Sequence, residues 1–584
     1  MSLPTNIFPA VLISILSGGL PQGLVAAPTI DEAAVLNAIA DDYYDAVLER
    51  SPELSYFAGI EIDRHDGLID NSLNALAVWH KKENLMLAAI AGIDPAVLEG
   101  RSERITLAVL RQALESAVGL RICRNELWSV NQMSGWQLRY TRVAEMQPVG
   151  TDELREQALA RWAKFPVFVS NEIENLKTGL EQGYTAPKGN TRLVIEQLDN
   201  LLAVPMEQSP FMSPASRDED EDFKAALAAV VEDRVLPAIH DYRTYLQDEY
   251  LPGARDELGV SALPDGRECY RASLRSYTTL DRAPEEVYEL GQQTVAANRT
   301  RVVELGKELY GLDDFEAIIA RVAEDPANRF DTKEEVLEFS RALVERSKGA
   351  MAEWFGIQPA REMVVEPYPD YQDGTGVSSR YERPRGEEPG VYRITLYDPS
   401  EQKQGGAEIT AVHEGYPGHH HQISIAIDLK GLHKINQMIF NSGYVEGWAR
   451  YAEALAEEIG LYETQTALIT RRAWPARGMV VDPGIHVMGW TREQAVEFMK
   501  ASGRFTADRA EKGVDRIAIL PGQLTAYDSG AIEMFSLRRQ AEEQLGDAFD
   551  IREFHDRLLE NGSVPLWMMR EHVERWIAAK AAIK

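Results

Sequence analysis

The sequence predicts a mainly α-helical protein with two helical lobes and a small β-sheet beside the helix that carries its histidine motif. Three observations predict this. Apolar residues recur three and four apart in segment after segment, the spacing of a helix with one buried face. A single short stretch alternates apolar and polar residues, and it lies just before the histidine cluster. The chain has 584 residues, enough for more than one lobe, with 45% hydrophobic and 26% charged residues, the balance of an ordinary globular protein.

Residues 1–27 contain the apolar run "FPAVLISILSGGL" followed by the small residues Val25, Ala26 and Ala27. The run is too short to span a bilayer. It suggests a signal peptide and hence export to a periplasmic or extracellular space, although no Lys or Arg precedes it; a cytoplasmic location stays open. From Asp31 the pattern turns helical, with Asp31 placed to cap "DEAAVLNAIADDYYDAVLER". Comparable helical segments occupy 151–180 and 222–251, and the Pro-, Ser- and acid-rich residues 204–222 between them predict a loop. The N-terminal helical lobe is thus expected over 28–260, and a C-terminal metal-binding catalytic region over 261–584. In the latter, helices continue to about residue 355, residues 363–390 suggest a loop, and "GVYRITLYDPS" suggests a strand over 391–398 that Pro399 ends. Helices then resume to the C-terminus.

The formal charge of -31 leaves no basic face for nucleic acid. The acidic run 218–222 is expected to be a solvated surface. No segment is apolar enough for an integral membrane span. Two cysteines, Cys123 and Cys269, are too few for a thiolate metal site; they can form one disulfide if the fold brings them together.

The chemistry concentrates in "AVHEGYPGHHHQ", residues 411–422. A zinc hydrolase needs about three protein ligands, an open position for water and a nearby base. The common helical solution is His-Glu-x-x-His, with both imidazoles on one face. Here Pro417 stands where the second histidine should be. On an uninterrupted helix His419 points away from His413, and His420 lies nearly two turns along. A bulge at Pro417-Gly418 can bring His419 back beside His413; His420 is the fallback ligand.

"HEGYPGHHHQ" followed by "YVEGWARYAE" closely resembles the DUF885 family, which is grouped with the zincin-like metallopeptidases. "LPDGRECYRASLRSYTT", "MVVDPGIHVMGWTREQAVEFM" and "LPGQLTAYDSGAIEMFSLRR" also look like family segments, in the family's order. The resemblance implies a two-lobed zincin-like fold, His413, His419 and Glu446 as ligands to one Zn2+ ion, and Glu414 as general base. Manganese or cobalt suits the same donors. Gly447 would allow close helix packing, and Gln422 would support a ligand. Tyr527, or failing that His486, is the expected oxyanion donor. Arg538 suits either a substrate carboxylate or a structural ion pair. His433 is expected at the surface and His555 in a structural role. The strand is expected to bind an extended peptide along an open edge.

The function these residues imply is zinc-dependent hydrolysis of peptides by a metal-activated water. Two alternatives stay open: zinc hydrolysis of non-peptide amides or esters, and a catalytically silent peptide-binding protein.

Overall fold

The computed structural model describes residues 31–583 except 370–372, 374–377 and 385. The expected signal peptide over 1–27 lies outside the described residues. Among the described residues the chain is mainly helical, with one three-stranded sheet.

The helices begin and end where side-chain chemistry dictates. Asp31 caps Glu32–Arg50 through the Ala33 N–H at 3.2 Å, as its sequence predicts. The segment expected as one helix over 151–180 forms two, Asp152–Ala163 and Phe165–Gln182. Pro166, which has no N–H, sits in the first turn of the second. Two π-turns, Val231–Val235 and Leu246–Tyr250, widen the next long helical run just before Pro237 and Pro252. The wider turns leave room for rings that an α-helix cannot hold.

Packing crosses residue 260, the boundary that the sequence suggests. The buried members of one aromatic-rich core, with Trp136, Tyr140, Trp162, Phe165, Phe211 and Tyr242, come from residues 130–254, and Tyr56, Phe57, Leu68 and Ile69 pack against them. Other early helices pack elsewhere: Ala108 and Val109 join the largest core with Met351, Trp448 and Leu537. Leu36 and Leu110 pack with Ile435. Residues 32–120 therefore help to build the C-terminal region. A disulfide, Cys123–Cys269, fastens them there with Cα atoms 4.7 Å apart. In the acidic run Glu219, Glu221 and Asp222 are exposed as expected, and one residue departs from it. Asp218 is buried, where it accepts from Arg155 Nη2 at 2.9 Å and from the Gly150 N–H at 2.9 Å. Arg155 holds its carboxyl well below the usual carboxylate range.

The elements that frame the histidine motif are helix α1 (Lys333–Trp354), strands β1 (Met363–Pro367), β2 (Arg380–Glu382) and β3 (Gly390–Ile394), and helices α2 (Gln404–Glu414), α3 (His419–Asp428) and α4 (Ser442–Ile459). Further on lie α5 (Gly478–His486), α6 (Ala507–Ile519) and α7 (Ala526–Leu545). A Thr332/Glu335 capping box starts α1. Two strands thus lie in 363–390, which the sequence suggests is loop. The strand order is β1-β3-β2, with β1 parallel to β3 (Met363 opposite Gly390) and β2 antiparallel to it (Tyr381 opposite Tyr392). Tyr392 and Ile394 face the core, as the alternation predicts. The strand stops four residues before residue 398. The Asp373 carboxylate accepts from Thr395 Oγ1, Leu396 N–H and Tyr397 N–H at 2.7–3.0 Å, which removes those donors from any ladder. β3 is central, so the sheet's edges are β1 and β2, and β2 is the edge that reaches Glu414, through the Tyr381 N–H.

Candidate metal centre

Helix α2 ends at Glu414 and α3 starts at His419. The four residues between them make the interruption that the motif requires. The peptide between Tyr416 and Pro417 is cis. Gly418 donates its N–H to Val412 O at 3.2 Å, and a Cβ there would lie 2.0 Å from His413 O, so only glycine fits. The Trp448 indole of α4 donates to Pro417 O at 2.8 Å and Gly418 O at 3.2 Å. These bonds hold the turn against the helix that carries Glu446.

The result is a convergence of three side chains. His413 and His419 bring their rings to 4.6 Å, nearly perpendicular. Each Nε2 lies 3.5 Å from Glu446 Oε2, and the three donor atoms all lie within 4.8 Å of one another. Donors about 2.1 Å from a tetrahedral ion sit about 3.4 Å apart. Glu446 Oε2 is buried without a hydrogen-bond partner among the described residues, a costly state for an acceptor that an ion would relieve. Nitrogen and carboxylate donors suit a borderline divalent cation. On spacing and chemistry, these residues could hold one.

Support continues behind the imidazole. His413 Nδ1 lies 2.9 Å from Glu453 Oε1. A carboxylate only accepts, so Nδ1 carries a proton, and loss of the Nε2 proton would free that lone pair for an ion. Glu453 in turn binds Arg450 Nη1 at 2.6 Å, and Arg450 Nε lies 3.4 Å from Asp528. Burial disfavours a charged imidazole, but Glu446 and Glu453 together outweigh it and pull His413 up to about 10. Burial works against the Glu446 anion too, yet the two histidines hold its carboxyl well below the carboxylate range.

Glu414 sits beside this cluster at the end of α2. Its Oε2 accepts the Tyr381 N–H of β2 at 2.8 Å. The Tyr527 ring lies 6.1 Å from the His413 ring and 25° from parallel to it. Burial and the nearby Glu446 raise Tyr527, so its hydroxyl stays protonated. Close packing makes room for this wall: a Cβ on Gly447 would lie 2.5 Å from Gly530 Cα, so glycine lets α4 and α7 touch.

Other sequence-based candidates fall away for definite reasons. His486 is fully buried; its Nδ1 accepts the Val260 N–H at 3.1 Å and its Nε2 donates to Ile517 O at 2.9 Å. Both nitrogens are used, so it has none to offer an oxyanion, and its role is to tie α5 to its neighbours. His420 donates from Nε2 to Arg361 O and receives Tyr381 Oη at Nδ1, both at 3.1 Å, which removes it as a fallback ligand. Arg538 is spent on Glu458 and Glu542, the structural alternative. His555 bridges Tyr451 and Trp354 in the core. His433 is not at the open surface: its side chain is 11% exposed and faces Asp41 at 3.3 Å. The Gln422 side-chain oxygen is buried without a partner among the described residues, and it makes no recorded bond to the cluster. Sequence reasoning missed Glu453, Arg450 and Asp528. A signal for the first was present, since Glu446 and Glu453 are seven apart and share a face of α4.

The model of the family described as "Bacterial protein of unknown function (DUF885)" matches residues 52–573. The chain belongs to the DUF885 family. Two solved structures are similar over nearly all of this DUF885 chain. One is the crystal structure of a candidate lipoprotein from Colwellia psychrerythraea, with TM-score 0.84 and 23% identity, covering 94% of this chain and 100% of that one. The other is a candidate lipoprotein of unknown function from Shewanella oneidensis, with TM-score 0.76 and 18% identity, covering 92% of this chain and 99% of that one. At these identities the likeness is one of fold. No curated protein matches the sequence.

Proposed function

We propose that this protein is a metal-dependent hydrolase of the zincin-like kind, most simply a zinc peptidase with its site between two helical lobes. The observation that carries this reading is the convergence of His413, His419 and Glu446 within 4.8 Å with Glu414 alongside. A histidine-rich helix end with a merely structural role would not orphan a buried carboxylate oxygen between two imidazoles.

His413, His419 and Glu446 would hold the ion, and Glu453 would fix the His413 tautomer. A bound divalent cation supplies Lewis acidity, acidifying a water and polarising a carbonyl. Glu414 accepts the proton of the attacking water and passes it to the leaving amine nitrogen as the C–N bond breaks. Tyr527, kept neutral, donates its hydroxyl hydrogen to the oxygen that gains negative charge. The edge of β2 favours a peptide over a small ester. The Tyr381 N–H that now meets Glu414 points away from β3, toward where an extended chain could add.

We also infer export. A disulfide suits an oxidising compartment, and the two similar structures are described as candidate lipoproteins.

The test joins metal analysis to a peptide-library assay on the full chain. Glu414→Gln is expected to keep one ion per chain and lose about 10²–10⁴-fold in turnover, the usual worth of a general base. Undiminished cleavage by the metal-replete variant would eliminate this mechanism.

A further inference from the structure

The Tyr381 N–H can serve one acceptor at a time, and two groups compete for it. Strand β2 is three residues long, and its register sets Tyr381 opposite Tyr392 of β3. In an antiparallel ladder, pairs that exchange both backbone bonds alternate with pairs whose N–H and C=O point outward. Tyr381 gives its N–H to Glu414 Oε2 at 2.8 Å, so it belongs to the outward kind, and its C=O faces the same open edge. An extended chain laid along β2 would meet both groups: a carbonyl oxygen of that chain would take the Tyr381 N–H, and an N–H would reach the Tyr381 C=O. Glu414 Oε2 stands where that carbonyl oxygen would stand.

Which side yields depends on what holds each. Tyr381 is fixed from three directions. Its strand is laddered to β3, and its hydroxyl meets His420 Nδ1 at 3.1 Å and Ser424 Oγ at 3.4 Å. Two residues on, Arg383 donates to Ala58 O, at the end of the early helix Leu54–Ala58. Glu414 is held by less. It is the last residue of α2 and half-buried, and among the described residues the bond to Tyr381 is the only hydrogen bond of its side chain. Turning that side chain away breaks one bond. A hydrogen bond to a carboxylate is roughly twice as strong as one to a neutral acceptor. A small amide or ester that offers one carbonyl therefore does not displace Glu414. An extended peptide does, because it adds a second bond at the Tyr381 C=O and further contacts along the edge.

We propose that Glu414 latches the β2 edge, and that an extended peptide frees it by taking over the Tyr381 N–H. The released carboxylate then turns to the His413, His419 and Glu446 cluster, where it acts as base. The site thereby selects extended peptides over small amides and esters by an exchange of acceptors at one backbone donor, with no side-chain pocket required. This inference rests on the peptidase reading for its catalytic consequence, but not for the exchange itself.

The exchange is read without catalysis, by hydrogen–deuterium exchange of the Tyr381 amide in full-length, zinc-loaded protein. That amide is expected to be protected in wild type and to exchange at least about tenfold faster in Glu414→Ala. It should slow again when Glu414→Ala is saturated with the hexapeptide that binds it most tightly in a library screen. Glu414→Gln, whose side-chain oxygen still accepts, should stay close to wild type. Calorimetry measures the competition: Glu414→Ala should bind the hexapeptide about fivefold more tightly than Glu414→Gln, because no acceptor has to leave first. A Tyr381 amide that stays protected in peptide-free Glu414→Ala would overturn the latch. So would an amide that the peptide leaves unprotected, equal binding by the two variants, or a library with no hexapeptide that binds. Turnover is compared in a second pair. Proline is tolerated on an edge strand where the N–H faces outward. Tyr381→Pro removes the donor, Tyr381→Ala keeps it, and both lose the ring. Relative to Tyr381→Ala, Tyr381→Pro should cut a small amino-acid anilide about fivefold faster and the hexapeptide more slowly. A parallel fall on both substrates would overturn the latch and leave the N–H to orient the base. If wild type cuts neither substrate but the Tyr381 amide responds as described, the peptidase reading fails and the latch stands. If peptides are cut and the amide ignores Glu414→Ala, the peptidase stands and the latch fails.

Discussion

His419 and His420 are neighbours at the start of one helix, and they occupy opposite settings. His420 turns toward β2 and β1, where Arg361 O and Tyr381 Oη engage both of its nitrogens. Burial holds it down to about 4, so it is a neutral packing group. His419 turns toward α4, where its Nε2 meets only Glu446 and its Nδ1 has no partner among the described residues. Both rings are largely hidden from solvent. Burial therefore does not separate a ligand from a core histidine. What separates them is whether the protein satisfies the ring itself or leaves a nitrogen aimed at an unsatisfied acceptor.

The contrast breaks most visibly if the ligand side is cut. His413→Ala and Glu446→Ala are each expected to fall from one bound ion per chain to none, with turnover lost, as read by metal analysis of purified protein. Retention of a full equivalent by both would show that the cluster is not the metal site. One layer back the effect should be partial. Glu453→Gln leaves His413 without its anionic partner, and removal of such a partner weakens metal affinity about 10–100-fold, measurable by competition with a chelator. An unchanged affinity would make Glu453 a purely structural acid. The other side of the comparison predicts the reverse pattern. His420→Ala should keep the metal and lose about 1–3 kcal/mol of stability in denaturant melts, since it strands Arg361 O and the Tyr381 hydroxyl.

The smallest effect concerns pH. Burial raises Asp482 to about 7, with Tyr270 Oη and the Gly522 N–H as its partners. Between about 4 and about 7 the folded chain then holds a proton that the unfolded chain releases. This contribution to stability is complete at the acid end and is lost as pH rises through 7. Asp482→Asn keeps an acceptor for both donors and removes the ionisation. It should flatten that decline and gain on the order of 1 kcal/mol at pH 8. A wild-type pH profile no steeper than that of the variant would contradict it.

The sequence carried the helical class, the Asp31 cap, the inward face of β3 and the need for a break at Pro417-Gly418, because each depends on local spacing or on one residue's backbone chemistry. What it did not carry depends on distant partners. Nothing local says that Asp373 ends β3, that β2 rather than β3 is the edge beside Glu414, or that residues 32–120 pack with the C-terminal half. His486 looked like a donor because its neighbours resemble family segments, and only the fold shows Val260 and Ile517 using both of its nitrogens.

One indole ties these parts together. Because Trp448 grips both carbonyls of the Pro417-Gly418 turn and stands two residues from Glu446, the stretch that sets the distance between the two imidazoles is clamped to the ruler that delivers the carboxylate. The three donors therefore travel as one rigid cassette. The surrounding helices can drift as sequences diverge without altering the size of the hole that cassette encloses.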